Sequence, residues 1–340
     1  MINSLIVGGD FKNPPKQSSV INKIAAHFEG ELINGGLPEE INNIDLSGKD
    51  LIIWAPNIDN EVAKHYPKKD IGSVLICSKV IREDRTDVDA IARIFKMNGN
   101  AVIAIYPGTT FTFKLIDALG NVWYEGTDIP EMCLAILNLY SWTKGSIRVR
   151  TNKTDFEFVG SCNDIEKLID LNKIVADKFE VIGDRYFGNV STRCAKMFPS
   201  ARFNHEYILV SRRNVDKKRI TAEDFVKVRY DGELVEYLGD NKPSVDTGIQ
   251  SYLYLNNPHI NFMIHGHTYV EGYPYTQRYF PCGDMREAHE IKDQLDSDGG
   301  CINLTNHGFL LFARTIDDLE RVVMNMVFIP RKIGEEKVGL

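Results

Sequence analysis

The run Ile260-Asn261-Phe262-Met263-Ile264-His265-Gly266-His267 is where the reading of this chain begins. Phe262-Met263-Ile264 reads as a strand, and two histidines separated by one glycine follow it at once. On a strand, residues i and i+2 point to the same face. His265 and His267 therefore present two imidazoles side by side, and Gly266 lets the backbone bend or a ligand approach. Two readings are open at this point. The pair can converge on one metal ion, or it can be a pair of ordinary surface or core histidines.

The neighbouring segments bear on that choice. Downstream, Cys301-Ile302-Asn303-Leu304 and Phe309-Leu310-Leu311-Phe312-Ala313 read as strands flanking Asn306-His307-Gly308. His307 thus sits in a turn between two apolar runs and can supply a third nitrogen. Three protein ligands with one open position describe a catalytic zinc-type site. Upstream, Asp246 stands at the head of an apparent helix that carries Ile249, Tyr252, Leu253 and Tyr254. Its carboxylate can ligate a metal or shuttle a proton beside one. It can also be only an N-terminal acid, stabilised by the helix dipole.

Around this centre the second half mixes strands and helices. Tyr207-Ile208-Leu209-Val210 is strand-like, and Thr221 is a plausible cap for Ala222–Phe225. A helix starting near Asn163-Asp164 carries Ile165, Leu168, Ile169, Val175 and Phe179, and Asp284–Leu295 and Asp317–Met326 are amphipathic. In the first half, Leu5-Ile6-Val7, Leu51-Ile52-Ile53-Trp54, Val74-Leu75-Ile76-Cys77 and Ala101-Val102-Ile103-Ala104-Ile105 are short continuous apolar runs. Such runs suit strands buried on both faces of a parallel sheet. Ser18-Ser19 can cap an intervening helix over Val20–Phe28. Phe111–Leu115 and Val122–Tyr124, either side of Gly120-Asn121, read as a hairpin. Residues 1–152 are expected to form a small, doubly wound, Rossmann-like α/β domain. The polar stretch from Lys144 to Gly160 marks the boundary, and residues 153–340 form the second domain. The loop Gly8-Gly9-Asp10-Phe11 is read as a plain strand-to-helix turn, since it matches neither GxGxxG nor a P-loop.

Composition narrows the function. The chain has 340 residues and a net charge of −7, a poor balance for general nucleic-acid binding. The six cysteines are scattered, which argues against a disulfide framework or a cysteine zinc finger. The N-terminus has no signal-peptide pattern and no run of about 18 apolar residues occurs. The expectation is a cytoplasmic protein with no nucleic-acid or membrane partner.

From about Asp164 onward, the sequence resembles the class II aldolase/adducin family. The resemblance rests on Gly188-Asn189-Val190-Ser191-Thr192-Arg193 for the family's Gly-Asn-x-Ser-x-Arg and on Lys242-Pro243-Ser244-Val245-Asp246 for its Pro-Ser-Ser-Glu. It rests also on His265-Gly266-His267 for its His-x-His and on Asn306-His307-Gly308 for its last histidine turn. It implies an α/β/α domain with a central, mostly antiparallel sheet. It implies His265, His267 and His307 as ligands of Zn²⁺, or of Mn²⁺, Fe²⁺ or Co²⁺. Asp246 would stand in for the acid/base Glu, and Asn189 and Ser244 would bind the substrate. The activity implied is metal-dependent retro-aldol cleavage through a stabilised enediolate. Epimerase, dehydratase or decarboxylase chemistry on the same site is the alternative, as is a non-catalytic, adducin-like scaffold. A homotetramer is implied as well.

The sequence departs from the pattern in three places. Asp246 is one methylene shorter than Glu. Val245 removes a hydroxyl from the phosphate-binding pair. Arg213-Asn214 replaces a Thr-Gly turn, so Arg213 can hold an anion bidentately or belong to a solvated pair with Arg212. Together they favour a small anionic substrate other than a standard sugar phosphate. The tyrosines of Tyr269–Phe280 are read as packing at a subunit boundary.

Overall fold

The computed structural model describes residues 2–8, 20–35, 44–56, 72–162, 164–179, 181–196, 205–295 and 298–338. Gly9–Phe11 and the Ser18-Ser19 cap lie outside them. The chain divides into two compact units, Met1–Gly145 with Lys332–Leu340, and Ser146–Arg331. No helix among the described residues is long and apolar enough to cross a membrane.

The first unit holds β1 (Ser4–Gly8), α1 (Val20–Phe28), β2 (Glu31–Asn34), β3 (Leu51–Trp54), β4 (Val74–Val80), α2 (Asp87–Lys96), β5 (Ala101–Tyr106), β6 (Thr112–Asp117), β7 (Val122–Gly126) and α3 (Ile129–Lys144). Its sheet has the order β2-β1-β3-β4-β5-β6-β7. The first five strands are parallel and the last two pair antiparallel. Leu51–Trp54 and Ala101–Ile105 are buried throughout, as strands covered on both faces must be. The strand order runs in opposite directions from β1 to β2 and from β4 to β5, and right-handed crossovers, the general rule, would set α1 and α2 on opposite faces. Lys332–Leu340 joins this unit through backbone bonds. Val122 N–H donates to Glu336 O (2.7 Å) and Val338 N–H to Val122 O (3.1 Å).

The second unit holds β8 (Arg150–Lys153), α4 (Ile165–Ala176), β9 (Asn189–Arg193), β10 (Glu206–Ser211), β11 (Phe225–Tyr230), β12 (Leu234–Tyr237), α5 (Thr247–Asn256), β13 (Phe262–Gly266), α6 (Met285–Ile291), β14 (Gly300–Leu304), β15 (Gly308–Ala313) and α7 (Ile316–Met324). The sheet order is β14-β15-β13-β9-β10-β11-β12-β8. All neighbours are antiparallel except β12 and β8. Compared with the boundary expected at 152/153, the division comes earlier, because Arg150–Lys153 pairs with Leu234–Tyr237. That edge strand is exposed and polar, so it carries no apolar signature.

Period-2 alternation builds three layers. Along β13 and β15, Met263, Leu310 and Phe312 face one core with Ile249, Leu253 and Met285. Phe262, Ile264, Phe309 and Leu311 face the other core with Leu168, Ile169 and Leu319. The motif residues Ser191 and Arg193 anchor α5 from below. Ser191 Oγ lies 2.9 Å from Tyr254 Oη, and the Arg193 guanidinium donates to the carbonyls of Tyr254 and Asn257 at the helix C-terminus.

Candidate metal centre

Strand pairing brings the sequence-distant histidines together. His265 lies opposite Asn189 on β9 and Leu310 on β15. The β14–β15 hairpin closes with Leu304 opposite Gly308. Asn306 takes the left-handed conformation at φ 56°, which asparagine tolerates better than most residues. This turn presses directly on β13. A Cβ at Gly308 would lie 2.0 Å from Gly266 O and 2.8 Å from His267 Cα, so only glycine permits the approach.

The rings of His265, His267 and His307 stand 4.9–5.2 Å apart, centroid to centroid. Each offers a ligand atom within 4.8 Å of the others'. All three are buried, 1–3% exposed. His265 Nδ1–H donates to Phe309 O (2.7 Å), which leaves Nε2 as the lone-pair nitrogen. His307 Nδ1 pairs with Glu287 Oε1 at 2.8 Å, the carboxylate–histidine arrangement that orients metal ligands. Phe187 stacks on His267 at 4.7 Å.

The electrostatics set His265 and His267 apart from His307. Burial, reinforced by His307, pushes His265 down to about 4. Burial and the other two imidazoles hold His267 well below its ordinary range. Burial works against charge on His307 too, but Glu287 outweighs it and holds that ring well above the ordinary range. His265 Nε2 and His267 Nδ1 are buried without a hydrogen-bond partner. Orphaned buried nitrogens are costly, and a divalent cation is the group that would satisfy them. The residues present therefore fit a metal of the kind the resemblance implies.

Asp246 is the N-cap residue of α5, yet its side chain does not cap that helix. Its Oδ1 accepts from Gly283 N–H (2.8 Å) and its Oδ2 from Asn189 Nδ2 (3.2 Å), with Oδ2 3.9 Å from His265 Nε2. Its side-chain hydrogen bonds thus run away from the helix it heads. Asn189 also donates to Ser244 Oγ (3.1 Å) and accepts from Gln250. Asn189 and Ser244 are therefore engaged in bracing Asp246. Arg212 is tied to Asp224 (2.7 Å), whereas the Arg213 side chain is exposed and its backbone N–H donates to Lys242 O (2.8 Å). Asn214 adopts φ 58°, so it keeps the left-handed conformation a glycine would supply. Tyr269 is committed within the chain, since its hydroxyl accepts from Asn306 N–H (3.1 Å).

Three nearby residues escaped the sequence reading. Glu287 and Cys282 come from α6 and the turn before it, where no spacing to the histidines marks them. Lys217 is 4% exposed, and its Nζ donates to Val215 O (3.0 Å). It lines a cavity of about 230 Å³ with Phe179, Tyr186 and Phe187. Burial pushes its amine down from 10.5 to about 8.

Residues 166–270 match the family model of the Class II Aldolase and Adducin N-terminal domain. This is the segment of Asn189, Asp246, His265 and His267, and the resemblance read from the sequence holds there. The first unit is not identified. No curated protein matches. Among solved structures, the chain is similar to L-fuculose 1-phosphate aldolase, at 18% identity over 49% of this chain and 84% of that one, TM-score 0.34. It is similar to YgbL, a putative aldolase/epimerase/decarboxylase from Klebsiella pneumoniae, at 17% over 46% and 81%, TM-score 0.33. It is also similar to the N-terminal class II aldolase domain of a conserved protein from Thermoplasma acidophilum, at 17% over 52% and 95%, TM-score 0.34.

Proposed function

We propose that the second unit is a metal-dependent lyase of the class II aldolase type, acting on a small anionic hydroxy-carbonyl compound. The observation that carries this reading is the convergence of three buried imidazoles, two of them with orphaned ring nitrogens. His265, His267 and His307 would hold the ion, zinc first, with manganese, iron or cobalt compatible with the same donors. Such an ion supplies Lewis-acid polarisation of a carbonyl and stabilises negative charge that develops beside it. Asp246 moves the proton to or from carbon, from a position fixed by Gly283 and Asn189. Asn189 and Ser244 hold that carboxylate and border the substrate. Arg213 takes the substrate's anionic end, because its neighbour Arg212 is already spent on Asp224. On the same reading the protein is a cytoplasmic homotetramer.

Metal analysis tests this directly. The purified protein is expected to carry a stoichiometric divalent metal, and His265→Ala with His267→Ala to carry none. Unchanged metal content in that variant sinks the site. Product analysis on a panel of ketose phosphates and hydroxy acids then separates cleavage from epimerisation, dehydration and decarboxylation.

A further inference from the structure

A thiol stands beside the third histidine of the cluster. Cys282 Sγ lies 3.5 Å from His307 Nε2, and Asp246, Cys282 and His307 offer atoms within 4.8 Å of one another. Glu287 occupies the Nδ1 side of His307, so the thiol meets the nitrogen that is left for coordination. Sulfur and nitrogen bound to one tetrahedral zinc at about 2.3 Å and about 2.05 Å sit about 3.5 Å apart. The Cys282–His307 separation in the structure matches one edge of such a shell.

The turn that carries Cys282 is held in place. Asp284 N–H donates to Pro281 O (3.1 Å), Gly283 takes φ 77°, and its N–H is bound by Asp246 Oδ1. Both Asp246 oxygens thus accept hydrogen bonds from the protein, whereas His265 Nε2 and His267 Nδ1 have no partner. Independently of the cysteine, those nitrogens call for an electrophile at this spot.

We propose that Cys282 is a fourth protein ligand of the ion held by His265, His267 and His307 in the substrate-free protein, in a shell that expands to admit a substrate oxygen, with Asp246 left outside it as the proton carrier. The proposal rests on the metal-dependent reading above. Coordination replaces the S–H proton, which leaves to solvent, and no other bond changes. A thiolate in the shell favours softer ions such as Zn²⁺, Fe²⁺ and Co²⁺ over Mg²⁺ and Mn²⁺.

Cobalt distinguishes this from a simple S–H···N hydrogen bond. The full chain, stripped of metal and kept reduced, is titrated with Co²⁺ alone and followed by absorption. The expected result is visible ligand-field bands together with a near-ultraviolet thiolate-to-cobalt band. Cys282→Ser is expected to keep the visible bands and lose the ultraviolet one, with Co²⁺ affinity down by at least roughly tenfold. Cys162→Ser, with its thiol beside Thr192, keeps both. Cys282→Ala provides a second variant, with far-ultraviolet circular dichroism to confirm that each is folded. Visible bands without the ultraviolet band in the unaltered protein overturn the Cys282 assignment and leave the three-histidine reading standing. Failure to bind Co²⁺ overturns both.

Discussion

Asp117 in the first unit and Asp246 in the second are both buried carboxylates, 5% and 8% exposed, and their surroundings differ. Asp117 Oδ1 accepts from the N–H groups of Leu119 (2.9 Å) and Asn121 (3.0 Å), and Oδ2 from Asn121 Nδ2 (3.2 Å) and Trp123 Nε1 (3.0 Å). This closed knot ties the β6–β7 hairpin. Asp246 has one donor on each oxygen and faces a histidine cluster with orphaned nitrogens. A buried polar group that is fully satisfied holds a fold together. A buried group set among unsatisfied ones stores free energy that a ligand can release. The two carboxylates thus differ in use: Asp117 ties a hairpin, and Asp246 faces the histidine cluster.

The largest expected effect comes from the packing under the cluster. Gly308→Ala drives a Cβ against Gly266 O and is expected to cost more than about 4 kcal/mol in urea unfolding. Gly48→Ala, at φ 67° with open space around it, is expected to cost only about 1 kcal/mol. Equal losses would mean that the close approach of the two strands is not what the site depends on.

Lys217 sharpens the comparison on the cationic side. Holding the amine at about 8 instead of 10.5 costs the folded state about 3 kcal/mol while the group is charged. The penalty is complete below pH 8. It fades as pH rises toward 10.5, because there the unfolded chain binds more protons than the folded one. Lys217→Met is therefore expected to exceed the unaltered protein by up to about 3 kcal/mol at pH 7 and to match it near pH 10.5. A difference that stays flat across that range would rule out the buried ammonium as its source.

The smallest stability effects test the two carboxylates themselves. Asp117→Asn places an amide against Asn121 Nδ2 and Trp123 Nε1 and is expected to cost about 2 kcal/mol. Asp246→Asn is expected to stay within about 1 kcal/mol while turnover drops by roughly 10²–10⁴-fold. Chemical denaturation and product formation on the same preparations measure both. The reverse pattern would invert the assignment of structure to one unit and chemistry to the other.

Much of the site was legible because local periodicity settled it. A short strand places His265 and His267 on one face whatever surrounds it, and the apolar runs either side of Asn306-His307-Gly308 announce a hairpin. Asp246 was legible as a helix head but not in its direction, since the side chain turns from its own helix toward Asn189 and Gly283. Asn189 and Ser244, expected to bind the substrate, also hydrogen-bond to each other, a pairing between distant segments that no local pattern records. Arg150–Lys153 was invisible as a strand, because an exposed edge leaves no hydrophobic alternation to read.

Sequence alone determined which strands are buried on both faces, since continuous apolar runs demand it in either unit. That the second sheet is antiparallel came from the family resemblance, because Phe262–Ile264 and Phe309–Ala313 are as continuously apolar as the strands of the first. Only the tertiary structure decided what surrounds the histidines. Cys282 and Glu287 meet His307 from a turn and from a helix, and a contact between distant segments costs chain entropy that no local pattern records.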